Sequence, residues 1–167
     1  MSPEASSDKV FATINYWIEE CGYHCFCSRG LQCWLPTRVI DVGSEEDGQP
    51  PKLHEPEEKQ GRYITLSHQW NLVTTSSSTT FTNYNERKEE IDVSTLPLTF
   101  LDAIEVTRKL VFRYQWTDAL CIIQDSEEDW SREASNMISI FECACLNIAA
   151  AGSDKDDGRL FMKRESL

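Results

Sequence analysis

The segment LPLTFLDAIEVTRKLVFRYQWTDALCIIQDSEEDWSREASNMISIFECACLNIAAA, residues 96–151, decides the fold. Apolar residues recur at helical spacing over 100–111, and a β-rich run follows at 112–117. A second amphipathic helix is predicted from Ser126, and the apolar run 146–151 reads as a strand buried on both faces. Strands that alternate with helices pair in parallel through right-handed crossovers. The order therefore predicts an open, mostly parallel α/β sheet flanked by helices.

Both helices carry signals for their ends and their buried faces. Thr99 is the predicted cap of the first, with Asp102 as the acid that follows it. Ser126 is the predicted cap of the second, where an acidic first turn suits the helix dipole. The second helix is expected to bury an apolar stripe that consists of Trp130, Ala134, Met137, Ile138, Phe141 and Cys145.

The chain before residue 96 divides into shorter elements. A helix with the apolar stripe Val10, Ile14, Trp17, Ile18 and Cys21 is expected to end at Gly22, before a cysteine-rich turn. Strands are predicted at 38–42 and 63–67. The acidic, proline-bearing interval between them is interpreted as a surface loop, with a brief strand around 52–54 as an alternative to a continuous loop. The hydroxyl-rich stretch after Trp70 is interpreted as a flexible loop with one short helical turn. We expect residues 1–35 to form an extension packed on a domain at 36–167.

Charge and composition exclude several classes of protein. The chain has 28 acidic and 16 basic residues, a net charge of -12, and no basic stripe that could follow a phosphate backbone, which argues against nucleic-acid binding. No apolar run approaches the roughly 20 residues of a membrane-spanning helix. The seven cysteines are an odd number and no signal peptide precedes them, so reduced thiols and a cytoplasmic location are expected.

Four candidate ligand-binding residues follow predicted strand ends. In parallel sheets, ligands bind outside the carboxyl ends of strands, where Ser67, His68, Trp70 and Asp118 are placed. Each has a structural alternative. Asp118 could accept backbone hydrogen bonds from the next turn, and His68 could be a packed side chain. Cys121, in the apolar run ALCII, and the tryptophans at 116 and 130 are interpreted as core residues.

A cysteine-rich turn offers a possible metal site. Zinc requires four ligands, and this turn offers soft ligands at short spacing: Cys21, His24, Cys27 and Cys33, with Cys25 among them. The spacing is tight and irregular. Buried reduced cysteines without a metal are the favoured interpretation, and zinc is the alternative.

Several motifs resemble the fungal heterokaryon incompatibility domain. They are YITLSHQW, LPLTFLDAIEVTRKL, FRYQWTDALCIIQDSEEDWSREASNMISIF and CLNIAAAGSDKDDGRLF, which together span 63–161. The resemblance implies a role in non-self recognition, in which the domain triggers programmed cell death. It also implies kinship with the TIR domain, a flavodoxin-like sheet. The partner would be another copy of the chain or another incompatibility protein.

The TIR kinship adds an enzymatic alternative. Some TIR domains cleave NAD, so the resemblance makes NAD a candidate substrate, with His68, Asp118 and Glu133 as candidate catalytic residues. Glu133 follows Trp130 as the acid does in NAD-cleaving TIR domains, and its carboxylate would steady an oxocarbenium-like transition state. Helical spacing turns Glu133 away from the centre of the apolar stripe, which favours a solvent-facing charge instead.

Overall fold

The computed structural model describes residues 6–23, 33–44, 46, 48–57, 59–151 and 158–161. Six α-helices are found there: α1 (Asp8–Gly22), α2 (Leu72–Ser76), α3 (Tyr84–Glu89), α4 (Leu98–Lys109), α5 (Asp118–Cys121) and α6 (Glu127–Cys143). The five strands are β1 (Val39–Asp41), β2 (Lys52–His54), β3 (Tyr63–Ser67), β4 (Tyr114–Trp116) and β5 (Leu146–Ala149). Within these ranges, no helix has both the length and the apolar character needed to cross a bilayer.

The five strands form one mixed sheet in the order β2-β1-β4-β3-β5. Strand β3 pairs in parallel with β4 on one side and with β5 on the other, as predicted from the order of elements. The antiparallel pair of β1 and β2 extends the sheet beyond β4. The α/β class and the parallel centre are therefore confirmed, within a sheet that is mixed.

Helices cover both faces of the sheet. The Tyr63 hydroxyl donates a hydrogen bond to the Ile140 carbonyl, which places α6 on one face. The next residue, Ile64, points to the other face and packs in a cluster with Phe11 of α1, and with Leu110 and Phe112 beside α4. The main core, which includes Trp116, lies between the sheet and its helices.

Helix α1 contacts the sheet through fewer residues than its stripe predicts. Phe11 is its buried side chain, and Ile14 and Ile18 are partly buried against the same cluster. Trp17 and Cys21 are exposed, which corrects the prediction that both are buried. The packed face of α1 is therefore centred on Phe11.

The stretch after Trp70 is more ordered than a loop with one helical turn. It contains α2, α3 and a 3-10 turn at Val93–Thr95. Its hydroxyl residues Thr74, Ser77, Ser78 and Thr79 are buried. The sequence suggested a flexible loop because hydroxyl side chains add little apolar area, but here their hydrogen bonds satisfy a packed segment.

Helix α6 is rotated relative to its predicted face. Ser126 caps it as expected, accepting a hydrogen bond from the Asp129 N–H. However, Asp129 and Glu133 are buried, whereas Trp130 is 54% exposed and Ile138 is 74% exposed. The predictions of a buried Trp130 and of a solvent-facing Glu133 were therefore wrong, because an arginine in the core attracts the two carboxylates inward.

Two further expectations are corrected near the ends of elements. Helix α4 begins after Pro97 instead of being capped by Thr99, whose hydroxyl donates to the Gly158 carbonyl. Asp102 is buried and accepts from Arg159 and from the Leu160 N–H. Strand β5 alternates between partly buried and exposed residues, so one of its faces is not covered as the apolar run suggested.

Cysteine pairing also differs from expectation. Cys33 and Cys143 form a disulfide across a sequence separation of 110 residues, although reduced thiols were predicted. The bond joins the segment before β1 to the last residue of α6. It removes Cys33 from the alternative zinc set, of which His24 and Cys27 lie outside the described residues. Among the described residues, no cluster of histidine, cysteine or acidic side chains is arranged to hold a metal ion.

Candidate functional site

His68 and Asp118 meet where two parallel strands end. His68 directly follows β3, and Asp118 begins α5, two residues after the end of β4. Because β3 and β4 are parallel neighbours, their carboxyl ends lie at the same edge of the sheet. The His68 Nε2 atom lies 2.9 Å from Asp118 Oδ1. The sheet thus brings together two residues that are 50 positions apart.

The Asp118 carboxylate accepts hydrogen bonds at both oxygens. Oδ1 also accepts from the backbone N–H of Ala119 at 2.8 Å, and Oδ2 accepts from Trp70 Nε1 at 2.9 Å. The Asp118 carbonyl accepts from the Gln124 side chain at 3.0 Å. These bonds fix the orientation of the carboxylate. The Asp118 side chain is 21% exposed.

Both ring nitrogens of His68 face oxygen atoms. Nδ1 lies 3.0 Å from the Gln69 carbonyl, while Nε2 faces the Asp118 carboxylate. The pair places an imidazole nitrogen against a carboxylate oxygen, an arrangement that suits proton transfer or the recognition of a polar ligand.

Aromatic rings enclose His68 and leave Trp70 accessible. The His68 side chain is 2% exposed and packs edge-on against Phe100, with ring centroids 4.8 Å apart. Trp70 lies 5.6 Å from the His68 ring and is 42% exposed. The surface presented to a ligand is therefore the Trp70 ring beside the Asp118 carboxylate.

The packed segment after α2 supports α5 and so holds Asp118 in place. The Thr79 N–H donates to the Ala119 carbonyl at 2.9 Å, and its hydroxyl donates to the Leu120 carbonyl at 2.6 Å. Arg87, which is buried, donates to the Thr79 hydroxyl oxygen and to the Ser77 carbonyl. Burial lowers the pKa of this guanidinium, against the opposing charge of Glu86. Arg87 thus anchors the segment that supports the site.

Glu133 lies in a separate cluster of buried charges. Its Oε1 atom is 3.7 Å from Arg38 and 3.3 Å from Arg132. Arg38 also pairs with Asp129 at 2.5 Å and donates from Nε to the Cys121 carbonyl at 2.7 Å. Glu133 lines a cavity of about 420 Å³ beside the Cys33–Cys143 disulfide. The structure therefore joins His68, Trp70 and Asp118, but it places Glu133 with the arginines.

The charges of this cluster shift the pKa values of its members. Burial would lower the pKa of Arg38, but the hydrogen bond and charge of Asp129, with the charge of Glu133, outweigh burial and raise it. Burial would raise the pKa of Asp129, but hydrogen bonds from Arg38 and from the Ile123 N–H outweigh burial and lower it. Both groups therefore stay charged, and the cluster is held by paired charges.

The remaining predicted residues divide between surface and core. Ser67 is exposed at the end of β3, where its carbonyl accepts from the Ala150 N–H. Cys121 is buried, and burial raises the pKa of its thiol to about 12, which fits the prediction of an unreactive core cysteine. Trp116 is fully buried, as predicted.

Sequence reasoning missed three contributors to the two clusters. The sequence predicts Phe100 on a helix face, without a link to His68, and Arg87 within a flexible loop. It predicts Arg38 only as the first residue of a strand. A basic residue flanked by apolar strand residues, as in LPTRVIDV, is the one signal that could have indicated a buried arginine in need of a carboxylate.

Comparison with known proteins identifies the family. The family model described as Heterokaryon incompatibility protein (HET) matches residues 63–166, which is more than half of the chain. Searches of curated proteins and of solved structures found no match. The matched range contains β3 to β5 and the whole His68–Asp118–Trp70 site. The chain therefore belongs to the heterokaryon incompatibility family.

Proposed function

We propose that this chain is a cytoplasmic effector domain that triggers programmed cell death in non-self recognition, through TIR-like signalling with copies of itself or another incompatibility protein. Membership of the family implies a role in fungal heterokaryon incompatibility. We assign the recognition event to His68, Trp70 and Asp118. The observation that carries this assignment is the Asp118 carboxylate, shared by His68 and Trp70 at the carboxyl edge of the parallel strands.

The exposure of the site supports recognition of a ligand or partner. A purely structural aspartate would be expected to accept hydrogen bonds mainly from backbone N–H groups. One oxygen of Asp118 accepts from the exposed Trp70 ring instead. The other oxygen contacts the buried His68 ring and accepts from the Ala119 N–H. An aromatic ring beside an oriented carboxylate offers both contact area and a specific polar group. This combination suits a binding surface that discriminates between partners.

The strand order supports the TIR kinship in part. In flavodoxin-like sheets the first three parallel strands lie in the order 2-1-3. The order β4-β3-β5 follows that scheme if β3 is counted first. The antiparallel strands β1 and β2 beyond β4 depart from it. The kinship therefore rests on the central three strands and their helices.

The proposal is tested by replacing Asp118 with asparagine. Asparagine keeps the shape of the side chain but replaces one acceptor oxygen by an NH2 group, which would face an N–H donor of His68 or Trp70. We expect cell-death activity in a fungal host to be lost while the purified protein still unfolds cooperatively. The matched control is Asp125→Asn, because Asp125 also accepts a hydrogen bond at the surface, from the Phe81 N–H. If Asp118→Asn kills cells as efficiently as the wild type, the site assignment is wrong.

NAD cleavage is the second candidate function. The observation that favours it is the contact between the His68 imidazole and the Asp118 carboxylate, beside the exposed Trp70 ring. Glu133, the acid that the TIR resemblance suggests, is instead paired with Arg38 and Arg132. NAD consumption by the purified protein, reduced by Asp118→Asn or Glu133→Gln, would support this candidate. A folded protein that kills cells and consumes no NAD would exclude it.

A further inference from the structure

The outer face of α6 presents an apolar stripe to solvent. Trp130, Ala134 and Ile138 are four residues apart and so lie on one side of the helix. Trp130 is 54% exposed and Ile138 is 74% exposed, with the partly buried Ala134 between them. Two large apolar side chains two turns apart, on the same side of a 17-residue helix, are thus exposed to water with a small alanine between them.

The stripe is exposed because the buried face of α6 is centred on Asp129, Glu133 and Ile140, and the stripe lies along the edge of that face. Towards the end of the helix, Phe141 packs against Trp116 on the same edge. Asp129 and Glu133 point inward to Arg38, and Ile140 is buried on the same inner side. Turning the helix to bury Trp130 and Ile138 would move these carboxylates away from Arg38. The buried ion pairs therefore fix the rotation of the helix, and the apolar strip is a permanent feature of its surface. Such strips mark interaction surfaces in otherwise charged proteins.

The surroundings of the stripe indicate the chemistry of its partner. Glu127 and Glu128 flank its amino end and Glu142 flanks its carboxyl end, and all three are exposed. Two copies of this face would bring glutamates against glutamates whether the helices ran parallel or antiparallel, and each chain carries a net charge of -12. A basic partner would instead meet complementary charge. The exposed side chains of Ser131 and Ser135 are small, which allows another helix to approach closely.

We propose that the outer face of α6 docks an amphipathic helix of a different protein, whose apolar residues pack on Trp130 and Ile138 and whose lysines or arginines pair with the flanking glutamates. Recognition of a helix by a helix face uses residues spaced three and four apart, as this stripe provides. The surface is built from α6 alone, so the proposal does not depend on the role of His68 or Asp118.

A designed peptide serves as the probe. We would use an 18-residue helix with leucine at positions a and d and lysine at positions e and g of each heptad, and measure its binding to the purified chain by calorimetry. Ile138→Glu is expected to weaken binding about tenfold or more, because a buried aliphatic contact is lost and a charge faces leucine. The matched control is Val111→Glu, which adds the same charge at a side chain 88% exposed and outside α6. This control should bind as the wild type does.

Three results would overturn the proposal. Equal weakening by the two glutamate variants would show a general attraction between an acidic protein and a basic peptide. Failure of the wild type to bind the peptide would show that the stripe is not a helix-docking surface. Sedimentation that reveals self-association of the wild type, abolished by Ile138→Glu, would identify a second copy as the occupant. Circular dichroism of each variant confirms that the binding data come from folded protein.

Discussion

Replacing Asp129 by asparagine is expected to lower the free energy of unfolding by about 3–5 kcal/mol, the loss typical of breaking a buried ion pair. Asp129 accepts from Arg38, from Arg132 and from the Ile123 N–H, and it is 5% exposed. An asparagine would turn an NH2 group toward one of these donors and leave the Arg38 charge with Glu133 at 3.7 Å as its main counter-charge. At this chain length, the melting temperature should fall by about 6–20 °C.

The expected loss of unfolding free energy depends on the burial of the ion pair, and not on the distance between its atoms. An exposed ion pair in the same chain provides a control. Lys88 and Glu55 approach to 2.6 Å, nearly the same as the 2.5 Å between Arg38 and Asp129. Their side chains are 39% and 37% exposed, against 4% and 6% for the buried pair. Lys88→Met should therefore destabilise the protein far less than Asp129→Asn, because solvent screens the exposed pair.

The effect of Asp129→Asn also depends on pH. The pKa of Asp129 is lower in the folded protein than the ordinary value of about 3.9 in the unfolded chain. Its stabilisation is thus complete above that ordinary value and is lost as the pH falls through the lowered pKa of the folded state. Urea unfolding at pH 7 and in a series below pH 4 should show wild type and variant converging in acid. A loss below 1 kcal/mol at pH 7, or a gap unchanged in acid, would refute the reasoning.

Four further outcomes are expected. Val111→Gly should raise the free energy of unfolding, measured in urea, by about 0.5–1 kcal/mol. Val111 is exposed and has φ 59° after the end of α4, a left-handed conformation that favours glycine. A loss of stability would contradict this. Cys143→Ser should lower stability by about 4–5 kcal/mol, since the bond with Cys33 closes a long loop, and a reductant should shift the melting temperature of the wild type equally. Native Cys121 should resist alkylation at pH 8, because its pKa is about 12, and should react on unfolding, as mass spectrometry can count. Phe11→Ala should cost about 3–5 kcal/mol if residues 1–35 are an extension packed on the domain, whereas a cost near zero would make α1 peripheral.

Local pattern was sufficient for the parallel centre of the sheet and for the convergence of three side chains at its edge. The strand Tyr63–Ser67 was predicted with the bounds that the structure shows, because β-favouring residues are concentrated there. The strand Lys52–His54 lies in an interval interpreted mainly as a surface loop. The rule that ligands gather at the carboxyl ends of parallel strands selected His68, Trp70 and Asp118. The structure joins these three by hydrogen bonds.

Long-range partners explain what the sequence could not predict. The face of α6 depends on Arg38, which contacts Asp129 from 91 positions away. The helical pattern of α6 reflects only the hydrophobicity of its own side chains. It contains no information about a distant arginine, whose charge makes the burial of a carboxylate favourable. The disulfide and the insertion of β1 between β2 and β4 are likewise set by residues far apart in the chain.

The position of β3 in the sheet has a consequence for the order of events during synthesis. Its neighbours both come later in the chain, since Ile64 pairs with Gln115 on one side and with Leu146 on the other. A ribosome therefore releases β3 well before either neighbour: β4 follows about fifty residues later and β5 about eighty residues later, so one edge of the apolar strand stays unpaired until β5 is made. Until Leu146 emerges, the unpaired backbone edge of β3 can pair with a wrong strand. Chaperones that bind extended apolar segments would therefore be expected to bind Tyr63–Ser67.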